Sequence, residues 1–147
     1  MILEHPALLR HTLLAAALAC AAALPAMAAD MVNFSATLSG TAEVPPNASA
    51  ATGSLEASLD KDTRLLRWTL KYSGLSGPAT AAHFHGPAMP GENTGVAVPF
   101  PSAASAAEGQ ATLTPEQLAD LVAGKWYANV HTAAHPGGEI RGQLMMK

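Results

Sequence analysis

The chain has 147 residues, of which 13% are charged and 5% aromatic, and its formal net charge is −3. This length suits one domain, or one domain with a tail. The sequence contains no basic block, which argues against the phosphate-binding surface of a nucleic-acid-binding protein. A single cysteine excludes a disulfide framework and a thiolate zinc site, and the 12 glycines and 11 prolines are too many for a helix bundle.

Residues 1–28 have the features of a secretory signal peptide. A short positively charged start is followed by an uncharged run of alanine and leucine over residues 13–24, which is short for a membrane span of about 20 apolar residues. Small residues at the end of the segment predict cleavage after Ala28. We therefore expect residues 29–147 to form the mature protein, secreted or periplasmic and without a membrane span. A retained N-terminal anchor and lipidation of Cys20 are the alternatives.

Residues 29–147 have the pattern of short strands separated by turns. The clearest strand is predicted over residues 64–72, where Leu66, Trp68 and Leu70 alternate with polar residues. The other predicted strands cover residues 32–38, 54–59, 79–85, 96–100, 110–113, 126–131 and 139–144.

One short helix is expected between the strands. Thr114 suits its N-cap, Pro115 its first turn, and Gln117 completes the spacing of a capping box. Gly124 is placed to end it. Seven or eight short strands with one short helix predict an all-β domain, either an antiparallel β-sandwich or a flattened Greek-key barrel.

The histidines of residues 29–147 fall in two short clusters, His83 with His85 and His131 with His135. Residues two apart in a strand share a face, with Cα atoms about 6.5 to 7 Å apart. If the two strands are neighbours, three or four imidazoles can bind one metal ion. A thiolate-free set in a secreted protein favours copper or zinc on ligand type. In the competing interpretation the imidazoles brace turns through backbone hydrogen bonds.

The second histidine cluster is followed by a polar strand face, which consists of Glu139, Arg141 and Gln143. If this face reaches the histidines, Glu139 could orient an imidazole and Arg141 could attract an anion. The alternatives are a solvated strand face and an ion pair between Arg141 and a glutamate.

Three segments give the chain a resemblance to the CHRD domain, the module named after its repeats in chordin. These are LSGTAEVPP at residues 38–46, AHFHGPA at 82–88, and NVHT followed by HPGGEIRGQL within 129–144. The resemblance extends over about residues 32–144. It implies a secreted domain of the single-domain bacterial kind, and it implies no general biochemical activity.

The order of His83, His85, His131 and Arg141 is also similar to that in copper–zinc superoxide dismutases. Those β-sandwich enzymes carry an H-x-H pair, a later copper-binding histidine and an arginine that guides superoxide. The similarity implies a copper-only site in which Arg141 guides the anion, whereas His135 has no assured counterpart. Three functions follow as hypotheses: a copper-binding protein of metal handling, a copper-dependent superoxide dismutase, and a metal-free structural or adhesion module. The expected partners are a metal ion and, for the enzyme, superoxide or another small anion.

Overall fold

The computed structural model describes residues 29–147, so the predicted signal peptide and Cys20 lie outside the described residues. Within the described part, no helix is long and apolar enough to cross a membrane. The chain there forms nine strands, one α-helix and a short 3-10 helix at Gly40–Ala42. The strands and the α-helix are β1 Met31–Ser39, β2 Thr52–Asp60, β3 Leu65–Ser73, β4 Ala79–His85, β5 Val96–Pro99, β6 Ala107–Thr112, α1 Pro115–Val122, β7 Tyr127–Thr132, β8 Ile140–Gln143 and β9 Met145–Met146.

All strand pairings are antiparallel, in the order β5-β4-β7-β8-β1-β2-β3-β6, with β9 beside β1. The sheet folds over on itself. Trp68 on β3 packs edge-to-face on Phe84 of β4, with ring centroids 5.0 Å apart, although four other strands separate β3 from β4 along the sheet. This architecture confirms the predicted antiparallel β-sandwich or flattened barrel. The last predicted strand, over residues 139–144, is observed as β8, and a short strand that was not predicted, β9, follows it and pairs with β1.

The core lies between the two halves of the folded sheet. Its regular part comes from the period-two alternation of β2 and β3, which places Leu55, Leu59, Leu66 and Leu70 in the interior without solvent exposure. Burying such side chains is the main favourable contribution to folding.

The single α-helix begins and ends as predicted. Thr114 Oγ1 accepts a hydrogen bond from the Gln117 backbone N–H at 3.1 Å, and the Gln117 side chain accepts one from the Thr114 N–H at 3.0 Å. These two bonds are the reciprocal pair of a capping box. Gly124, with φ of 74°, follows the helix in the left-handed conformation that glycine adopts readily.

Candidate metal centre

The pairing of β4 with β7 brings the two histidine clusters onto one face of the sheet. His83 lies opposite Asn129 in the ladder, and His85 lies opposite Tyr127. Paired residues of antiparallel strands project from the same face, and His131 shares it because it follows Asn129 by two positions. The opposite face of these strands packs into the core, so this cluster belongs to the outer side of the domain.

Three imidazoles converge there. His83, His85 and His131 each offer a ligand atom, and these atoms lie within 4.8 Å of one another. The closest approach joins His83 Nδ1 to His131 Nε2 at 3.0 Å. His85 is buried, whereas the other two are partly exposed. Ligand nitrogens on a tetrahedral zinc lie about 3.4 Å apart, so the widest pair would close by roughly 1.4 Å around an ion. The group can hold a metal ion after small side-chain rotations.

The structure does not bring His135 into this group. His135 lies beside Ser49, Ser76 and Glu139 around a separate shallow pocket. Its backbone closes the turn after β7, since its N–H donates to Thr132 O at 3.1 Å and its carbonyl accepts from Gly138 at 3.1 Å. The turn therefore directs the chain away from the other three histidines.

Two backbone carbonyls determine which ring nitrogens carry protons. His85 Nδ1 lies 3.0 Å from Thr94 O, and His131 Nδ1 lies 2.9 Å from Pro136 O. A carbonyl only accepts hydrogen bonds, so both Nδ1 atoms are donors. In the neutral rings the Nε2 atoms are then unprotonated, which is the state that a metal ligand requires.

Asn129 lies at the centre of the cluster. Its Oδ1 is 3.0 Å from His85 Nε2 and 2.9 Å from His131 Nε2. With both rings neutral and the amide in this orientation, Oδ1 and the two Nε2 atoms are all acceptors, which either a bound cation or a half-turn of the amide would relieve. His131 Nε2 also lies 3.0 Å from His83 Nδ1, which can donate a hydrogen bond to it. Burial and repulsion between the rings lower the pKa of His83 and of His131, which disfavours the proton. Sequence reasoning missed Asn129, because only the strand register shows that it faces the histidines.

Arg141 is buried beside the cluster, with 2% of its surface exposed. Its Nη1 donates to Asn93 Oδ1 at 2.9 Å and its Nη2 to Glu92 O at 2.7 Å. The guanidinium carbon lies 3.4 Å from the centre of the Tyr127 ring. The interpretation of this strand face as solvated is therefore wrong, and the contacts of Arg141 differ from those of a cation presented to an approaching anion.

Glu139 does not orient an imidazole. Its carboxylate accepts hydrogen bonds from the hydroxyls of Ser49, Ser76 and Thr132, at 2.8, 2.6 and 2.6 Å, and from the Ser76 backbone N–H at 2.8 Å. Burial alone would raise the pKa of Glu139, but these hydrogen bonds outweigh it and bring the pKa to about 2. The carboxylate thus joins three separate segments of the chain, and the prediction that it orients a histidine is wrong.

Glu43 is a second buried carboxyl near the cluster. Burial raises its pKa to about 7, although the Arg141 charge and the Asn129 side chain act in the opposite direction. Its Oε1 has no hydrogen-bond partner within residues 29–147. Burial thus opposes the charged form both of the Glu43 carboxyl and of the His83 and His131 rings.

Comparison with known proteins identifies one family. The CHRD domain family model matches residues 34–144, which is most of the chain. No curated protein matches the chain, and no solved structure matches it.

Proposed function

This chain belongs to the CHRD domain family, and from that premise we propose that it is an extracytoplasmic protein that binds a transition metal, copper in preference to zinc, through His83, His85 and His131. The observation that carries the proposal is the convergence of the three imidazoles, with the Nε2 atoms of His85 and His131 at 3.0 and 2.9 Å from Asn129 Oδ1. Backbone carbonyls fix the protons on the far side of both rings, as is usual for metal-binding histidines.

The donor set supports copper. Three neutral nitrogens and an amide oxygen are ligands that Cu(II) accepts in a tetragonal arrangement, and a site of this kind binds Cu(II) more tightly than Zn(II) in the usual affinity order. Zinc is the alternative, because three histidines also suit a tetrahedral zinc site. Competition between the two ions for the purified protein distinguishes them.

The extracytoplasmic location rests on the signal-peptide pattern of residues 1–28. We expect the protein recovered from the producing cells to begin at Ala29. Intact-mass measurement checks this, and a protein that retains the apolar run would contradict the predicted cleavage.

The alternative is a metal-free module in which the histidines brace the fold. In that state the Asn129 amide would be turned by half a revolution, and its two N–H groups would donate to the two Nε2 atoms. The hydrogen bonds from His85 and His131 to Thr94 O and Pro136 O would then be purely structural. The two states differ in whether the ring nitrogens are free to bind a metal.

Titration with Cu(II), followed by electron paramagnetic resonance, separates these states. We expect one tight equivalent with nitrogen hyperfine structure in the wild type and its loss in the His83→Ala/His131→Ala double variant. His135→Ala is the matched control, because it removes a nearby imidazole outside the cluster and should leave the signal unchanged. Circular dichroism establishes that each variant is folded. A weak signal of equal size in the wild type and the double variant would overturn the proposal.

A superoxide dismutase-like activity is the second candidate, favoured by the partial exposure of His83 and His131. A catalytic metal needs a coordination position that substrate can reach, and this edge of the cluster provides an approach from solvent. Superoxide removal by the copper-loaded wild type, retained in His135→Ala and absent from the double variant, would support the enzyme. Tight copper binding without superoxide removal would leave metal handling as the function.

A further inference from the structure

We propose that Arg141 is a positioning residue of the metal centre that holds His85 in its metal-binding state through Tyr127 and through the loop between β4 and β5. This loop, residues 86–95, is called the β4–β5 loop below. The inference rests on the proposed function, since it assigns Arg141 a role toward a site that binds metal.

Arg141 is a buried charge without an ion pair. Within residues 29–147 the ion pairs involve other residues, and the neighbouring carboxyl of Glu43 has its pKa raised to about 7. Burying an unpaired charge costs free energy. The guanidinium is instead held by two charge-assisted hydrogen bonds and by an aromatic face, a combination that suits its planar fork and that a lysine cannot reproduce. Such a costly placement points to a role for Arg141 in the position of the groups that it contacts, which are Tyr127 and the β4–β5 loop.

Tyr127 transmits the position of Arg141 to His85. The Tyr127 and His85 rings are stacked, with centroids 4.7 Å apart and an interplanar angle of 3°. The Arg141 guanidinium covers the same tyrosine ring at 3.4 Å. Because β4 and β8 flank β7 on opposite sides, His85 and Arg141 approach Tyr127 from its two neighbouring strands. The plane of the His85 imidazole is thereby fixed by the plane of Tyr127.

The β4–β5 loop provides a second connection. Arg141 donates to the carbonyl of Glu92 and to the side chain of Asn93, and the next residue, Thr94, accepts the hydrogen bond from His85 Nδ1. Asn93 also donates to Val44 O at 2.7 Å, which ties the loop to the segment after β1. Arg141 therefore holds in place the carbonyl that keeps the proton on Nδ1 and leaves Nε2 free.

The direction in which Arg141→Met changes copper affinity distinguishes a positioning role from a simple charge effect. A positive charge near a bound cation opposes metal binding, so if Arg141 acted only through its charge, Arg141→Met would raise copper affinity. If it positions His85, the same substitution lowers copper affinity, by about 10- to 100-fold as for other residues that orient a metal-binding histidine. Arg141→Lys retains the charge but not the planar contacts, so under the positioning role it should lose affinity as well.

The test uses metal-free and copper-titrated protein. Long-range 1H–15N spectra of the metal-free wild type should show His85 protonated at Nδ1, and Arg141→Met should show a mixture of the two tautomers. Arg67→Met, which removes an exposed arginine on β3, is the matched control and should leave the spectrum and copper affinity unchanged. Asn93→Ala, at an exposed position of the loop, provides a second perturbation if Arg141→Met does not fold. It should change the His85 tautomer populations in the same direction, but less.

The outcomes separate this inference from the proposed function. An unchanged His85 tautomer in folded Arg141→Met, or in Asn93→Ala if Arg141→Met does not fold, would overturn the positioning role, and so would a rise in copper affinity. Absence of copper binding to the wild type would overturn the proposed function, whereas the tautomer measurement on the metal-free protein would still report the action of Arg141 on His85.

Discussion

Glu43 should make the stability of the domain fall as the pH rises. The carboxyl is 6% exposed, and its pKa is raised from 4.5 to about 7 because burial disfavours the charged form. A carboxyl whose folded-state pKa lies above its unfolded-state pKa stabilises the protein fully below the unfolded value, and this contribution is lost as the pH rises through the folded value. For Glu43 the loss develops between pH 4.5 and about 7.

The magnitude follows from the two pKa values. At about 1.36 kcal/mol per pKa unit, the wild type should lose about 3 kcal/mol of unfolding free energy between pH 4.5 and 8 through this one group. Glu43→Gln keeps the shape of the side chain and cannot ionise. Between pH 4.5 and 8, the unfolding free energy of the variant should therefore rise by about 3 kcal/mol relative to that of the wild type, whatever the stability of the variant at pH 4.5.

Urea unfolding of metal-free protein at several pH values measures this difference. The other titrating groups are common to both proteins, so their contributions cancel in the comparison. Glu108→Gln is the matched control, because it makes the same change in net charge at an exposed position on β6. A difference between wild type and Glu43→Gln that stays constant from pH 4.5 to 8 would refute the reasoning.

Three further predictions concern the site and the core. At limiting copper, the fraction of protein with bound copper, measured by electron paramagnetic resonance, should fall as the pH drops below 6.5. The midpoint of this fall should lie below the pKa of an exposed imidazole, because the pKa of His83 and of His131 is lowered. Equal copper occupancy at pH 7.5 and 5 would contradict this. Glu139→Gln should lower the free energy of unfolding by about 2 kcal/mol at pH 7. Because hydrogen bonds hold the pKa of Glu139 low, the wild type should lose stability as the pH falls from 4.5 through about 2, and the variant should lose less. Parallel acid-unfolding curves for the two proteins would contradict this prediction. Gly109→Ala should lower stability by about 2 kcal/mol in thermal unfolding, because its Cβ would collide with the buried Trp68 indole; an unchanged midpoint would show that the indole can move.

The elements that sequence analysis predicted well depend on local signals. The alternation around Leu66 and Leu70 follows from the two-residue period of a strand, and the helix start at Thr114 follows from hydrogen bonds within four residues. The histidine pair His83 and His85 is of the same kind, because any strand places both on one face. The structure confirms each of these expectations.

The features that were missed depend on contacts between distant segments. The partners of Glu139 come from a loop near Ser49, a loop near Ser76 and the end of β7, and no spacing in the sequence relates these three places. The alternation of Glu139 and Arg141 indicates a polar face correctly, but it does not show that other segments cover that face. His135 was grouped with His131 by proximity in sequence, whereas the turn between them separates the two side chains.

The polar groups around Asn129 have a common explanation. Arg141 is buried without an ion pair, Glu43 is shifted toward its neutral form, and the histidine rings direct unprotonated nitrogens at an acceptor oxygen. Each of these placements costs free energy in a domain whose core could be filled with apolar side chains. Groups that serve stability alone behave as Glu139 does, with every carboxylate oxygen paired to donors. The saturated Glu139 contrasts with Glu43, whose Oε1 has no hydrogen-bond partner within residues 29–147. This contrast, together with the convergence of three imidazoles, is the reason for proposing that the three histidines bind a metal ion.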